Sequence, residues 1–173
     1  MKKIASFMII FVLLLSLVSC GGDEGEGSDS GHTEHYLYGL SYKLPDDFTQ
    51  KTAQNADAQY SNGEATFFFN AFGETEMLQD LMIESDMTVK QYTEYFLTLN
   101  PYADDYEYDA ERNVSTFNYI YDYGDVGFES EYYTFLITRS EDCLYVAAAY
   151  CTVNNIEKYS QTFSEIFNSI VIE

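Results

Sequence analysis

Segments in which apolar and polar residues alternate dominate the second half of the chain. A period of two predicts β-strands, because successive side chains of a strand point to opposite faces of a sheet. Four such strands are predicted, at 105–111, 114–123, 128–139 and 144–152. Short loops at 122–127 and 140–142 separate the last three. Strands joined in this way form an antiparallel meander, against which the rest of the chain must pack.

Three further strand signals precede the meander. Residues 36–44 alternate strictly and predict one strand with a shared face of Tyr36, Tyr38, Leu40, Tyr42 and Leu44. A turn at 45–47 ends it. A strand near 58–61 turns at Asn62-Gly63, a strong hairpin signal. The following segment, 65–72, contains three consecutive phenylalanines and predicts a strand covered on both faces.

Three helices are predicted among these strands. The first is a short helix over 77–83. Thr88 with Gln91 forms a capping box and opens the second, which ends at Asn100-Pro101 and has an apolar stripe of Val89, Tyr92, Phe96 and Leu99. Asn154 with Glu157 opens the third, whose stripe consists of Ile156, Tyr159, Phe163, Ile166, Phe167 and Ile170.

The order of these elements predicts an α+β fold, in which helices pack against an antiparallel meandering sheet. Residues 36–173 have the length of one domain with its own core. If Cys143 and Cys151 lie on one strand, they are about 26 Å apart at ~3.3 Å per residue. That distance is too great for a disulfide, so both are predicted to be small packed residues, with a disulfide formed through a bent chain as the alternative.

The N-terminal segment has the parts of an export signal. Lys2 and Lys3 are followed by an apolar run over 4–18. The run is shorter than the roughly 20 residues that a membrane span needs. It closes on Leu17-Val18-Ser19-Cys20, which resembles the lipobox of bacterial lipoproteins. The resemblance implies that residues 1–19 are removed and that a diacylglyceryl group on Cys20 anchors the chain to the outer face of the cell membrane, or to an outer membrane where the organism has one.

Residues 20–35 are predicted to be an acidic, disordered tether behind the lipidated cysteine. No aliphatic or aromatic residue occurs in 21–35, so the segment cannot bury enough surface to offset its ordering entropy. His32 and His35, with Glu34 between them, have the chemistry of metal ligands. In a flexible linker, solvated histidines are the favoured interpretation.

The charge of the chain excludes one class of partner. Eight basic and 29 acidic residues give a formal net charge of −21. Two of the basic residues precede Cys20, so the processed chain would carry −23. Such a field repels nucleic acid, which is therefore excluded as a partner, and it favours cations and basic proteins.

The order of elements resembles the PsbP/Mog fold, which includes the extrinsic PsbP subunit of photosystem II, a Ran-binding protein and small bacterial lipoproteins. The resemblance spans 36–173. It is carried by the strand Gly-Leu-Ser-Tyr-Lys-Leu-Pro with the following Phe48, by the capped helix near 88–99, by the meander, and by the closing helix that ends at 168–172. The resemblance implies a non-catalytic binding or assembly module. It transfers no binding residue to this chain.

No catalytic constellation or cofactor site is predicted. Both histidines of the chain lie in the predicted tether, so no triad with a histidine base can form inside the domain. Gly124 and Gly127 occur in a turn between strands, without the lysine and helix of a phosphate-binding loop.

The sharpest polar feature is the acidic segment 105–111. A period of two puts Asp105, Glu107, Asp109 and Glu111 on one face of a strand. Clustered carboxylates are ligands for calcium, which makes these four the candidate metal residues. Side chains on one strand face diverge, however, so a solvated face opposite a core face is the favoured interpretation.

Tyrosine is the other excess, with 17 residues. Tyr119, Tyr121 and Tyr123 share a predicted face with Phe117, and Tyr132 and Tyr133 follow on the next strand. Tyrosines suit both recognition surfaces and half-buried sheets. Packing on the sheet is favoured here.

From the sequence we therefore expect a membrane-anchored extracytoplasmic lipoprotein. Its domain would bind an unidentified protein partner, or stabilise an assembly of the cell envelope, without catalysis or a cofactor. The alternative is a carrier of a small ligand or cation that uses the acidic face.

Overall fold

In a computed structural model, the structure describes residues 31–53, 55–79, 81, 84, 86–124 and 127–173. Ten strands are described: β1 (His32–Leu37), β2 (Leu40–Pro45), β3 (Thr49–Gln50), β4 (Ala58–Ser61), β5 (Ala65–Gly73), β6 (Ala103–Asp109), β7 (Val114–Tyr121), β8 (Glu131–Arg139), β9 (Cys143–Thr152) and β10 (Val171–Ile172). The helices are α1 (Glu74–Gln79), α2 (Val89–Leu99) and α3 (Ile156–Asn168). The predicted leader 1–19 and Cys20 lie outside the described residues.

The strands form two antiparallel sheets. The larger has seven strands in the order β3-β4-β5-β9-β8-β7-β6, and the smaller has three in the order β1-β2-β10. Because β6 to β9 are consecutive neighbours, they form the predicted meander. The α+β prediction is confirmed.

Most of the core lies on one face of the large sheet. The small sheet and α3 cover that face, and their buried side chains surround Tyr42, Phe67 and Phe69. The opposite face is covered in part by α2, whose Phe96 packs 5.1 Å from the Phe117 ring between centroids. Phe67, Phe68 and Phe69 are all fully buried, which confirms that β5 is covered on both faces.

The single strand predicted over 36–44 is wrong. The chain turns at Tyr38 and Gly39, both with positive φ (50° and 76°), and β1 pairs with β2 as a hairpin. Two residues with positive φ form the tight turn that suits the twist of a hairpin. Leu40, Tyr42 and Leu44 are buried as predicted, whereas Tyr36 and Tyr38 are 62% and 60% exposed.

The tether predicted over 20–35 is wrong at its C-terminal end, because β1 begins at His32; residues 21–30 lie outside the described residues. Residues 32–35 are therefore ordered and pair with β2. Disorder was predicted because this segment lacks apolar residues. Backbone pairing along β2 supplies the ordering energy instead.

The helices agree with the predictions in part. The capping box of Thr88 and Gln91 is present and α2 stops at Asn100, but Leu99 at the end of its stripe is 45% exposed. The first helix begins earlier than predicted, at Glu74, and 80, 82 and 83 lie outside the described residues. The prediction that Asn154 with Glu157 opens the third helix is wrong, because Asn154 lies in a single 3-10 turn before α3 and no side chain caps the helix.

Cys143 and Cys151 both lie on β9, as predicted, and are free thiols. Burial raises the pKa of the Cys151 thiol to about 11, so it is an unreactive packed residue. Within the described ranges, no helix is both long enough and apolar enough to span a bilayer.

Candidate functional site

A groove of about 1130 Å³ lies between α3 and the outer strands β6, β7 and β8. We call this space the acidic groove. It exists because α3 contacts β2, β9 and β8, while β6 and β7 extend beyond it. The sheet is wider than the helix that covers it.

The sequence of the paired strands explains why the core ends at this point. Glu107 of β6 lies opposite Thr116 of β7, and Thr116 lies opposite Leu136 of β8. Leu136 in turn lies opposite Ala147 of β9, and both are fully buried in the core under α3. From β6 across the sheet to β9, the side chains of this row therefore change from a carboxylate to a hydroxyl to hydrocarbon.

A second row repeats the change. Asp104 of β6 is paired with Asn118 of β7, and Asn118 is paired with Thr134 of β8. Thr134 lies opposite Ala149, which is again in the core. The floor of the acidic groove is therefore polar by sequence, which leaves it hydrated when the rest of this face is buried.

The helix supplies the other wall. Ser160, Ser164 and Asn168 follow one another at intervals of four, so they form one line on α3. Phe163 and Phe167 lie beside this line and join the groove to the core. The serines were not singled out from the sequence. Their spacing next to the apolar stripe is the signal that marks them, but their proximity to β7 depends on the docking of α3.

Three of the four acidic candidates line the groove. Asp105, Glu107 and Asp109 are exposed and face it, while Glu111 lies in the turn after β6 and is not among the lining residues. The alternation predicted for this strand is interrupted by a register shift between Asp104 and Glu107, where Asp105 has φ 53°. Such a bulge also protects the edge strand from pairing with another chain.

The three carboxylates do not form a preformed metal site. Asp105 Oδ2 accepts a hydrogen bond from Asn118 Nδ2 at 3.0 Å. Asp109 Oδ1 accepts hydrogen bonds from the backbone N–H groups of Glu111 and Arg112, at 2.9 and 3.1 Å. Among the described residues, no three His, Cys, Asp or Glu side chains are placed to hold one ion.

One basic side chain occurs among the lining residues, and both of its terminal nitrogens donate hydrogen bonds to α3. Arg112 Nη1 donates to Asn168 Oδ1 at 3.2 Å, and Nη2 donates to the carbonyl of Phe167 at 3.3 Å. Its charge is thus directed at the C-terminal end of α3, where a cation is favourable. The groove keeps an excess of negative charge.

The other end of α3 is fixed to the β4–β5 hairpin. Tyr159 donates from its hydroxyl to Glu64 Oε2 at 2.8 Å, and Lys158 forms an ion pair with the same carboxylate. These contacts lower the pKa of Glu64 and raise the pKa of Lys158. The main cause of both shifts is the hydrogen bond between the two side chains. The helix wall is therefore held at both ends.

The tyrosines are divided between the two faces of the sheet. Tyr121 contacts Tyr119 and Tyr123 at centroid distances of 6.3 and 4.7 Å, on the face away from α3. Tyr133 stacks on Tyr150 of the same face at 4.8 Å, and burial strongly raises its pKa. Tyr132 alone among the predicted tyrosines lines the acidic groove. Packing on the sheet, the favoured interpretation, therefore accounts for most of this set.

The two histidines do not converge. His32 and His35 are three residues apart on β1 and therefore point to opposite sides of it. His35 packs against the rings of Tyr42 and Tyr60, at centroid distances of 5.6 and 4.8 Å. Partial burial lowers the pKa of His35. It is a packing residue of the small sheet.

No protein-family model matches the chain, and no curated protein matches it in sequence. Solved structures do match. The Ran-binding protein Mog1p of Saccharomyces cerevisiae superposes with a TM-score of 0.52 at 10% identity, over 83% of this chain and 96% of that one. Cyanobacterial PsbP (CyanoP) from Synechocystis sp. PCC 6803 gives a TM-score of 0.50 at 13% identity, over 88% and 98%.

A protein from Bacteroides thetaiotaomicron gives a TM-score of 0.52 at 12% identity, over 78% of this chain and 45% of its own length. At identities this low the likeness shows the fold alone. The chain has an α+β fold similar to those of Mog1 and PsbP, as the sequence indicated.

Proposed function

We propose that the chain is a lipid-anchored extracytoplasmic module that binds a protein partner in the acidic groove and catalyses no reaction. Two features support the proposal. The tetrapeptide ending at Cys20 has the pattern of a lipidation site, and two acyl chains on one cysteine would anchor the chain stably. The acidic groove is the observation that carries the binding function, because it is a large concave surface with polar groups from four elements.

The chemistry of the groove favours binding over catalysis. General acid catalysis at neutral pH needs a carboxyl group that is desolvated, whereas Asp105, Glu107 and Asp109 are exposed to solvent. His35 is in the small sheet, against Tyr42 and Tyr60. The lining residues hold hydroxyl, amide and carboxylate groups, which recognise a partner by hydrogen bonding and charge.

Carriage of a small cation is the alternative that the same carboxylates offer. The arrangement favours it less. Asp105 and Asp109 already accept hydrogen bonds from the protein, and a calcium ion takes six to eight oxygen ligands. An ion would have to compete with those bonds.

The anchoring half of the proposal is tested by labelling cells with tritiated palmitate. The wild-type chain should take up the label and enter the detergent phase of Triton X-114. A Cys20→Ala variant should take up none, because it lacks the acceptor thiol. Cys143→Ala is the matched control and should be labelled like wild type. Label that persists in Cys20→Ala, or a wild-type chain without label, would refute the lipid anchor.

A further inference from the structure

We propose that the occupant of the acidic groove is an extended peptide segment rich in lysine and arginine, contributed by the protein partner. This inference rests on the proposed binding function and specifies its partner.

Charge is the first argument. The carboxylates of Asp105, Glu107 and Asp109 line the groove, and the guanidinium of Arg112 is engaged by Asn168 and the Phe167 carbonyl. The whole chain carries −21, so the long-range field has the same sign as the local one. Complementary charge speeds association and rejects partners of like charge. An anionic or neutral occupant would leave these carboxylates without a counter-charge.

Shape is the second argument. The groove volume of about 1130 Å³ exceeds the roughly 300–1,000 Å³ of pockets that enclose a small molecule. Its carboxylates lie along β6 rather than around one point, and the line of Ser160, Ser164 and Asn168 runs along the opposite wall. A cation with one centre cannot meet charges distributed in this way. A chain with several basic side chains can.

The lining between the two walls fits the rest of such a peptide. The partly exposed ring of Tyr132 offers apolar surface to the aliphatic stems of lysine and arginine, whose charged heads remain in water. Thr116 and Thr134 on the floor, with the serines of α3, offer hydroxyls that donate to and accept from peptide groups. The groove therefore has a place for the stem, the charge and the backbone of a basic segment.

The first test measures binding of the full-length protein, in detergent micelles, to a fluorescein-labelled decapeptide of alternating lysine and alanine. In an extended chain this sequence puts every lysine on one side. Fluorescence anisotropy should show saturable binding, and a decapeptide with glutamine in place of lysine should bind at least ~10-fold more weakly. As competitors at fixed ionic strength, spermidine and calcium chloride should displace the peptide only at higher concentrations than the peptide itself. If either displaces it at an equal or lower concentration, the occupant is a small cation and the inference is overturned.

Variants locate the binding in the groove. Glu107→Gln should weaken the lysine peptide ~3-fold, the scale of an exposed ion pair, and Ser164→Lys should weaken it ~10-fold by adding a like charge. Glu141→Gln and Gln161→Lys make the same charge changes at exposed positions that do not line the groove. These controls should change the affinity less than 2-fold. If the variants and the controls lose affinity for the peptide equally, the peptide is attracted by the net charge alone, and the inference is overturned.

A second experiment separates this inference from the function on which it rests. A photo-crosslinking amino acid at position 164 or, as control, at position 161 is activated in intact cells, and the captured segment is sequenced. A basic segment captured only at 164 supports both proposals. A segment without lysine or arginine, captured only at 164, overturns the basic occupant but leaves the binding function. No capture specific to 164 refutes the binding function itself.

Discussion

Replacement of Ser115 by alanine should make the protein more stable. Ser115 is fully buried on β7, between Tyr108 of β6 and Ile137 of β8, and its hydroxyl has no hydrogen-bond partner. A hydroxyl buried in this way costs about 1–3 kcal/mol relative to water. Alanine removes that cost and gives up a few dispersion contacts of one oxygen atom. We therefore expect Ser115→Ala to raise the free energy of unfolding by about 1 kcal/mol.

Thr138 of β8 provides the matched control. It is buried like Ser115, but its Oγ1 donates to the carbonyl of Asn113 at 3.1 Å. Thr138→Val keeps the shape of the side chain and removes this hydrogen bond, so it should lower the free energy of unfolding by about 1–2 kcal/mol. The two changes delete the same chemical group and have opposite expected signs.

The measurement is urea denaturation followed by far-ultraviolet circular dichroism, with the slope m compared between variants. In a thermal scan, the gain for Ser115→Ala corresponds to a melting temperature about 2–4 °C higher. A loss of about 0.5 kcal/mol or more in Ser115→Ala, at unchanged m, would refute the reasoning. It would mean that the Ser115 hydroxyl is hydrogen-bonded in solution.

Two further predictions concern the small sheet. Gly39→Ala should lower the free energy of unfolding by about 1 kcal/mol, because Gly39 has φ 76°. The cause is backbone strain and not a clash, since an added Cβ would come no closer than 3.9 Å to Tyr145. Gly39→Asn should lower the free energy of unfolding less, and equal losses in the two variants would point to packing instead. Burial holds the pKa of His35 below 6.5 in the folded chain, so the unfolded chain binds the proton more readily and stability should fall as the pH drops below 6.5. The urea midpoint should fall between about pH 7.5 and 5.5 in wild type and not in His35→Phe. If the midpoints of the two proteins fall in parallel with pH, the loss of stability comes from the carboxylates and not from His35.

The meander and the capped helix could be predicted because their signals are local. Alternation along β7, β8 and β9 follows from a sheet with two different faces, and the capping box of Thr88 and Gln91 is complete within four residues. The hairpin of β1 and β2 was missed for a physical reason. Tyr38 adopts a positive φ that its side chain does not favour, and the alternation of tyrosines and leucines continues through the turn.

The acidic groove could be predicted only in part. Alternation predicted that Glu107 and Asp109 share a face, and their pairing with Thr116 and Val114 of β7 shows that they do. It could not predict the bulge at Asp105, which comes from the pairing of β6 with β7. Nor could it show that Ser164 of α3 lies across from these acids, because that proximity depends on the docking of a helix more than 50 residues away in the chain.

The position of α3 explains how a polar groove persists beside a well-packed core. At its N-terminal end, Tyr159 and Lys158 hold the helix to Glu64, and at its C-terminal end Arg112 bonds to Asn168 and the Phe167 carbonyl. These contacts at both ends oppose an outward slide of the helix over β6 and β7. Sliding would in any case bury the carboxylates of β6, at a cost in desolvation that no apolar contact there would offset. The groove is therefore open before any partner arrives, and a preformed surface loses less conformational entropy on binding than one that must first be ordered.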